Sequence, residues 1–219
     1  MKLKLFILIV LFLCLIVLGS RHSVKAVEPT NVLATHQMSL DDRYSNTMVN
    51  DVFKDNILLT MAYMRGIVKN PQAPDWNDVQ KPFHYEMVLQ PNQTFAFHDS
   101  VLPAYEGKVA RTTAAHFDGA QGFKSDGYLM GDGVCHLASL INWAAKDAKL
   151  EVYAPTNHDF AVIPEVPKEF GVAIYDSPNE SGSVNGMENL YVTNNKSKPV
   201  TFVFDYRNDV LSVTVSESK

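Results

Sequence analysis

Apolar residues recur with helical period in two stretches of the chain and alternate with polar residues in several others. From position 45 onward, Val49, Val52, Phe53, Ile57, Met61, Met64 and Val68 recur at helical spacing, the pattern of a helix with one covered face. Ser45, Asn46 or Thr47 can cap its start and Asn70-Pro71 stops it, so one long helix is predicted over about 46–69. A second stripe of Leu137, Leu140, Ile141, Ala144 and Ala148 predicts a helix over 135–149. Lys146 and Lys149 suit its negative end.

Strand period appears at 83–89 and 94–97, on either side of Gln90-Pro91-Asn92-Gln93, which predicts a β-hairpin. Further strands are predicted at 151–153, 160–163, 170–175, 190–193, 200–206 and 210–215. The last two are joined by Arg207-Asn208-Asp209 as a second hairpin. Pro71, Pro74 and Asn77-Asp78 mark 70–81 as a loop, residues 176–186 form another, and the Gly- and Ala-rich stretch 100–130 is predicted to be irregular. Strands joined by short turns imply an antiparallel sheet. The fold class is therefore α+β, mostly antiparallel, with a central helix after residue 133 and an N-terminal helix packed on or beside the sheet. The domain reading is an N-terminal helical segment at 45–81 and a main domain at 82–219.

The N-terminus has a different character. Lys2 and Lys4 precede an uninterrupted apolar run at 5–18, and Val24-Lys25-Ala26 offers the small residues a signal peptidase reads. Residues 1–26 are expected to be a signal peptide cleaved after Ala26. The run is shorter than the roughly 20 residues of a spanning helix, although Gly19 and Ser20 extend it towards an uncleaved anchor over 5–20. Contact with a membrane is expected only through that segment, and no cysteine follows the run as a lipoprotein would require. Residues 27–44 are polar and unpatterned and are expected to be a linker. The expected location is extracytoplasmic, secreted or attached to the cell envelope.

Export changes the charge. The whole chain has 19 Lys and Arg against 24 Asp and Glu, a net charge of -5. Residues 1–26 carry Lys2, Lys4, Arg21 and Lys25 and no acid, so their removal leaves -9. Nucleic acid and anionic lipid are captured by clustered cations, and an acidic mature chain argues against both.

Export also leaves one cysteine. Cys14 lies in the apolar run, so Cys135 has no partner for a disulfide and becomes a candidate nucleophile. It stands in Gly131-Asp132-Gly133-Val134-Cys135-His136, at the start of the second predicted helix. A helix N-terminus lowers a thiol pKa. The glycines permit a sharp turn that leaves backbone N–H groups free for an oxyanion, with Gly133, Val134 and His136 as the expected contributors. The bland alternative is a small buried residue at a helix start. A thiolate needs a base, and His158 in Asn157-His158-Asp159 enters the chain just after the helix, with Asp159 or Asn157 to orient it. His136 is about 100° round the helix from Cys135 and is read as exposed or substrate-facing. His84, His98 and His116 read as ordinary polar residues. No zinc pattern, phosphate loop or dinucleotide fingerprint is present, so neither metal nor cofactor is expected. Three glycosylation triplets, beginning at Asn92, Asn179 and Asn195, decide nothing.

These residues together resemble a family. Gly131-Asp132-Gly133-Val134-Cys135-His136, with Asn142-Trp143-Ala144-Ala145 on the helix behind it, resembles the Gly-Gly-Gly-Val-Cys-Gln hallmark and Tyr-Asn-Ala-Ala helix of the VanW domain. Gln90-Pro91-Asn92-Gln93-Thr94-Phe95-Ala96-Phe97-His98 is similar to that family's entry strand. His158 falls at its His-Ser position, and residues 190–199 resemble its Phe-x-Asn-Asn-x-x-x-Pro segment. The resemblance covers about 86–215 and implies a bacterial cell-envelope protein of a family first noticed in glycopeptide-resistance clusters. It further implies L,D-transpeptidase-like chemistry on peptidoglycan stem peptides. Cys135 would attack a stem carbonyl, expel a D-amino acid and pass the acyl group to an amine, with His158 as base. The sequence departs from the family pattern at Asp132, His136 and Ala138-Ser139-Leu140, and an acid at 132 raises the Cys135 pKa by like-charge repulsion. Two expectations follow: a cysteine acyltransferase of the cell wall, or a non-catalytic envelope or binding protein on the same scaffold. The oligomeric state is not legible in the sequence.

Overall fold

The computed structural model describes residues 30–127 and 131–218, so the expected signal peptide or anchor lies outside the described residues. Among the described residues no helix is long and apolar enough to cross a membrane. The class is α+β, as expected.

Two four-stranded sheets share one hydrophobic core. In the first, β1 (Thr30–Ser39), β8 (Val210–Ser218), β7 (Val200–Arg207) and β2 (Phe83–Leu89) lie side by side in that order, each antiparallel to its neighbour. Alternation does its work on β7 and β8. Phe202 faces Val215, Phe204 faces Val213 and Tyr206 faces Leu211 in register, all buried on one side. Asn208 and Asp209, at φ 51° and 57°, make the tight turn of this hairpin. The second sheet has β4 (Val109–Arg111), β3 (Thr94–Ala96), β6 (Tyr191–Thr193) and β5 (Glu151–Tyr153), antiparallel except for the parallel β3–β4 pair.

Two helices carry the rest of the core. α1 (Thr47–Met64) is capped by the Asn46 side chain, which accepts from the Met48 N–H. It ends earlier than the predicted 69, and it is buried all round over 55–62, not on one face. The short helix α2 (Trp76–Val79) interrupts the predicted loop. α3 (Val134–Asp147) packs against β1, β8, β5 and α1. A further short helix, α4 (Gly182–Asn185), falls in the loop predicted at 176–186.

Four expectations are corrected. Within the span read as a linker, residues 30–39 form β1, which closes the first sheet against β8. Its covered face includes His36, stacked on Trp143 at 3.6 Å between ring centroids and bonded through Nε2 to Asp147 at 2.7 Å, so its apolar face does not look apolar. The helical segment 45–81 is likewise no separate unit, since Ile57, Leu58, Leu59 and Met61 belong to the same core as β7 and β8. The predicted hairpin at 83–97 is not one. β2 and β3 lie in different sheets, and Gln90–Gln93 carries the chain between them, held by Asn92 N–H to Asn194 O and Asn194 N–H to Gln93 O. Finally, 160–163 and 170–175 form no ladder: residues 160 and 161 lie in a bend, and Phe170 closes a short 3-10 turn, Lys168–Phe170. The N–H groups of Val172, Ala173 and Ile174 go instead to Ser139 Oγ, Thr156 O and Cys135 Sγ.

The asparagines near 194 have a structural task. The fully buried Asn194 amide donates to Leu89 O and Lys198 O, while its Oδ1 accepts from Lys196 N–H. One side chain thus joins the ends of β2, β6 and β7.

Candidate functional site

The site grows from the turn into α3. Gly133 is the N-cap residue at φ 101°, a left-handed conformation natural to glycine, and its Cα lies against the backbone of Phe53 on α1. The turn beneath it is tied to α1 by Asn56, whose buried amide donates to Lys124 O and Asp132 O and accepts from Lys124 N–H. Cys135 therefore sits in the first turn of a helix whose entry is fixed from below.

Cys135 is half-buried and lines a cavity of about 380 Å³. Its Sγ receives the Ile174 N–H at 3.3 Å and lies 3.6 Å from Ile174 O, which accepts the thiol proton. Burial pushes the thiol up to about 11; the Ile174 N–H opposes the shift, and the charges of Glu188 and Asp132 add to it. Desolvation thus outweighs the helix N-terminus, and at neutral pH the sulfur is a thiol. Asp132, just outside the helix, is itself pushed up to about 6, mainly by burial against the bond it accepts from Asp126 N–H.

The expected catalytic partners are present but not assembled. His158 is buried and lines the same cavity, yet no hydrogen bond joins it to Cys135, and its Nδ1 is buried without a partner. Burial lowers its pKa. Asp159 lines a neighbouring cavity of about 260 Å³, and it makes no hydrogen bond to the His158 ring. The series Cys135–His158–Asp159 is therefore not formed. The oxyanion expectation changes too: Val134 N–H is bonded to Gly131 O and His136 N–H to Gly133 O within the turn itself. His136, expected to be exposed or to face a substrate, is buried and lines the cavity. Its Nδ1 accepts from Arg43 Nη1 at 2.9 Å, and burial, followed by the Arg43 and His158 charges, holds it well below the ordinary histidine value.

Several residues of the site carried no sequence signal. Arg43 and Tyr44 come from the supposed linker and cross over α3. The Arg43 side chain is 2% exposed, bonds His136 and Pro164 O, and lies 3.9 Å from Glu165. Phe53 comes from α1, Phe117 and Asp118 from the irregular stretch, Ile174 from the failed strand and Asp176 from the start of the predicted loop. Together they give an apolar floor with three carboxylates, Asp118, Asp132 and Asp176. Among the described residues no Lys or Arg lines this cavity.

A family model described as VanW like protein matches residues 84–216. The chain belongs to the VanW family. The matched span starts at β2 and includes the Cys135 turn, His158 and all of β7, and within it the VanW hallmark builds the cavity wall just described. β1 and α1 fall outside the matched span yet complete the first sheet and support Gly133. Comparison with curated proteins and with solved structures returned no match.

Proposed function

We propose that this VanW protein is an exported component of the bacterial cell envelope that binds peptidoglycan stem peptides in the cavity at the N-terminus of α3, with Cys135 as part of the binding wall. The observation that supports this reading is the state of the thiol. Its hydrogen bonds go to the Ile174 backbone, burial holds it protonated, and no base touches it. The cavity around it suits such a ligand. Tyr44, Phe53, Phe117 and Phe160 give the cavity apolar walls, and three carboxylates with no Lys or Arg beside them in the lining favour a ligand bearing an amine. The diamino acid of a stem peptide supplies one.

A synthetic stem tetrapeptide titrated into the mature protein should bind saturably, and equally well to Cys135→Ser. Acetylating the free side-chain amine should weaken binding by roughly tenfold, the effect of one partly desolvated ion pair of about 1.4 kcal/mol. Absence of saturable binding, or indifference to acetylation, overturns the reading.

A second reading rests on the orphaned Nδ1 of His158. A buried histidine with one free ring nitrogen, in the same cavity as a thiol, is the raw material of a thiol acyltransferase. In that reaction Cys135 Sγ forms a thioester with the stem carbonyl and the bond to the D-amino acid breaks. The thiol proton passes through His158 to the leaving amine, and the amine of a second stem then takes the acyl group and restores the thiol. Release of a D-amino acid, with a mass increase on Cys135, would establish this reading in place of the first.

A further inference from the structure

A second group of chemistry-bearing side chains lies beside the Cys135 cavity and takes no part in holding the fold's core. His116 Nδ1 is 2.8 Å from Asp176 Oδ2 and 3.6 Å from Asp99 Oδ1. One ligand atom from each of the three residues lies within 4.8 Å of the others. Around a tetrahedral zinc ion with bonds of about 2.0–2.1 Å, ligand atoms sit about 3.4 Å apart, and the two separations bracket that value.

We propose that Asp99, His116 and Asp176 form a binding site for a divalent metal ion of the zinc class, on the rim of the Cys135 cavity. Three observations support it. First, both carboxylates converge on one ring nitrogen, which has one proton to share between them. His84 shows the contrast: Asp205 bonds its Nδ1 and Glu86 its Nε2, an arrangement that satisfies two acids as ion pairs and cannot place both on one ion. Second, the Asp176 side chain is 6% exposed, and among the described residues neither it nor Asp99 pairs with a Lys or Arg. A nearly buried carboxylate compensated only by a histidine favours a cation.

Third, the chain around each of the three ligands is held in place by hydrogen bonds. Asp99 follows His98, whose backbone N–H is held by Asn189 Oδ1 and whose ring is bonded to Glu188 O. The His116 backbone is bonded by Gln121 Oε1. Asp176 is flanked by Tyr175 N–H on Glu188 O and Ser177 N–H on Asn185 Oδ1, and its Oδ1 accepts from Ser100 Oγ. Such second contacts hold carboxylate ligands in place in metal sites. One imidazole and two carboxylates leave positions open on the ion, and the adjoining cavity of about 360 Å³ also borders Asp118, Ser177 and Glu180. The ligands are 17 and 60 residues apart in the chain, spacings that no metal pattern in the sequence predicts.

Isothermal titration of tag-free protein with zinc chloride tests the site. One zinc per chain is expected. His116→Ala and Asp176→Asn should each weaken uptake by at least the roughly 10–100-fold that loss of an outer contact costs. Cys135→Ser and His84→Ala should bind as the parent does. No stoichiometric uptake, or uptake that survives both ligand variants, overturns the proposal, as does uptake lost in Cys135→Ser. Thermal melts of each variant without zinc show whether it folds; should His116→Ala not fold, His116→Gln takes its place. Zinc should also weaken binding of the amine-bearing stem peptide, because it occupies Asp176 and lowers the negative charge that draws the amine, a clause that rests on the peptide reading. That arm fails alone if the cavity takes no peptide, whereas calorimetric uptake reads the metal site by itself.

Discussion

Gly133→Ala should lower the stability of the protein by about 3 kcal/mol in urea denaturation. Two effects add. At φ 101° an L side chain is strained, at roughly 1–2 kcal/mol. An added Cβ would also stand 2.7 Å from Phe53 O and 2.9 Å from Phe53 Cα, and those are backbone atoms of α1 that no rotamer change can move. Overpacking of this kind costs roughly 1–3 kcal/mol. Two further glycines separate the terms. Gly127→Ala, at φ 111° with open space around it, should lose only the strain, about 1 kcal/mol. Gly131→Ala, whose Cβ would meet Phe117 Cβ at 3.0 Å, should fall between. Equal losses at 127 and 133 would show that α1 does not bear on the Cys135 turn as described.

The second large effect is expected from Asn56→Ala, also at about 3 kcal/mol or more. Asn56 is fully buried on α1, and its side chain makes hydrogen bonds of 2.9 and 2.8 Å to Lys124 O and Asp132 O and accepts one of 2.9 Å from Lys124 N–H. Truncation removes all three and strands one N–H and two carbonyls away from water. Each stranded group costs about 1–3 kcal/mol, partly recovered as the loop relaxes. Because those backbone groups flank the turn into α3, the variant should also loosen the site. Cys135 should react with alkylating agents several-fold faster than in the parent, through local opening. A loss below about 1 kcal/mol, with unchanged thiol reactivity, would mean that the tie between α1 and the turn is not what holds the site.

The helix over α3 and the β7–β8 hairpin were legible because the information for each is local. Leu137, Leu140, Ile141 and Ala144 all face the core, and Asn208-Asp209 takes the left-handed turn that the residue types invite. β1 was not legible, since it gains its place only by pairing with β8 at the far end of the chain, and its covered face uses His36. Residues 170–175 illustrate the opposite error. Val172 and Ile174 are buried as a strand's would be, but their N–H groups are satisfied by side chains of α3, and a sequence pattern reports burial without reporting the partner. Residues 90–93 have turn-forming residues and do form a turn, but local chemistry does not say that β3 continues into another sheet.

The site divides in the same way. That Cys135 and His158 share one cavity was readable from the helix start and the position of 158 in the following segment. That the two are unbonded was not, because it depends on Ile174, 39 residues after the cysteine, taking the sulfur first. Arg43 could not be found from its neighbours in sequence. It is fixed by His136 and Pro164, 93 and 121 residues away.

The protonated state of the Cys135 thiol is tested most directly by its rate of alkylation with iodoacetamide as a function of pH. The protein is compared with its His158→Ala variant. With the thiol held at about 11, thiolate at pH 7 is roughly 300-fold scarcer than for an ordinary cysteine near 8.5. Labelling should be correspondingly slow, should rise only towards pH 11 and should be the same without His158. A rate that levels off at or below pH 8, and that falls when His158 is removed, would contradict the account and establish Cys135 as an activated nucleophile.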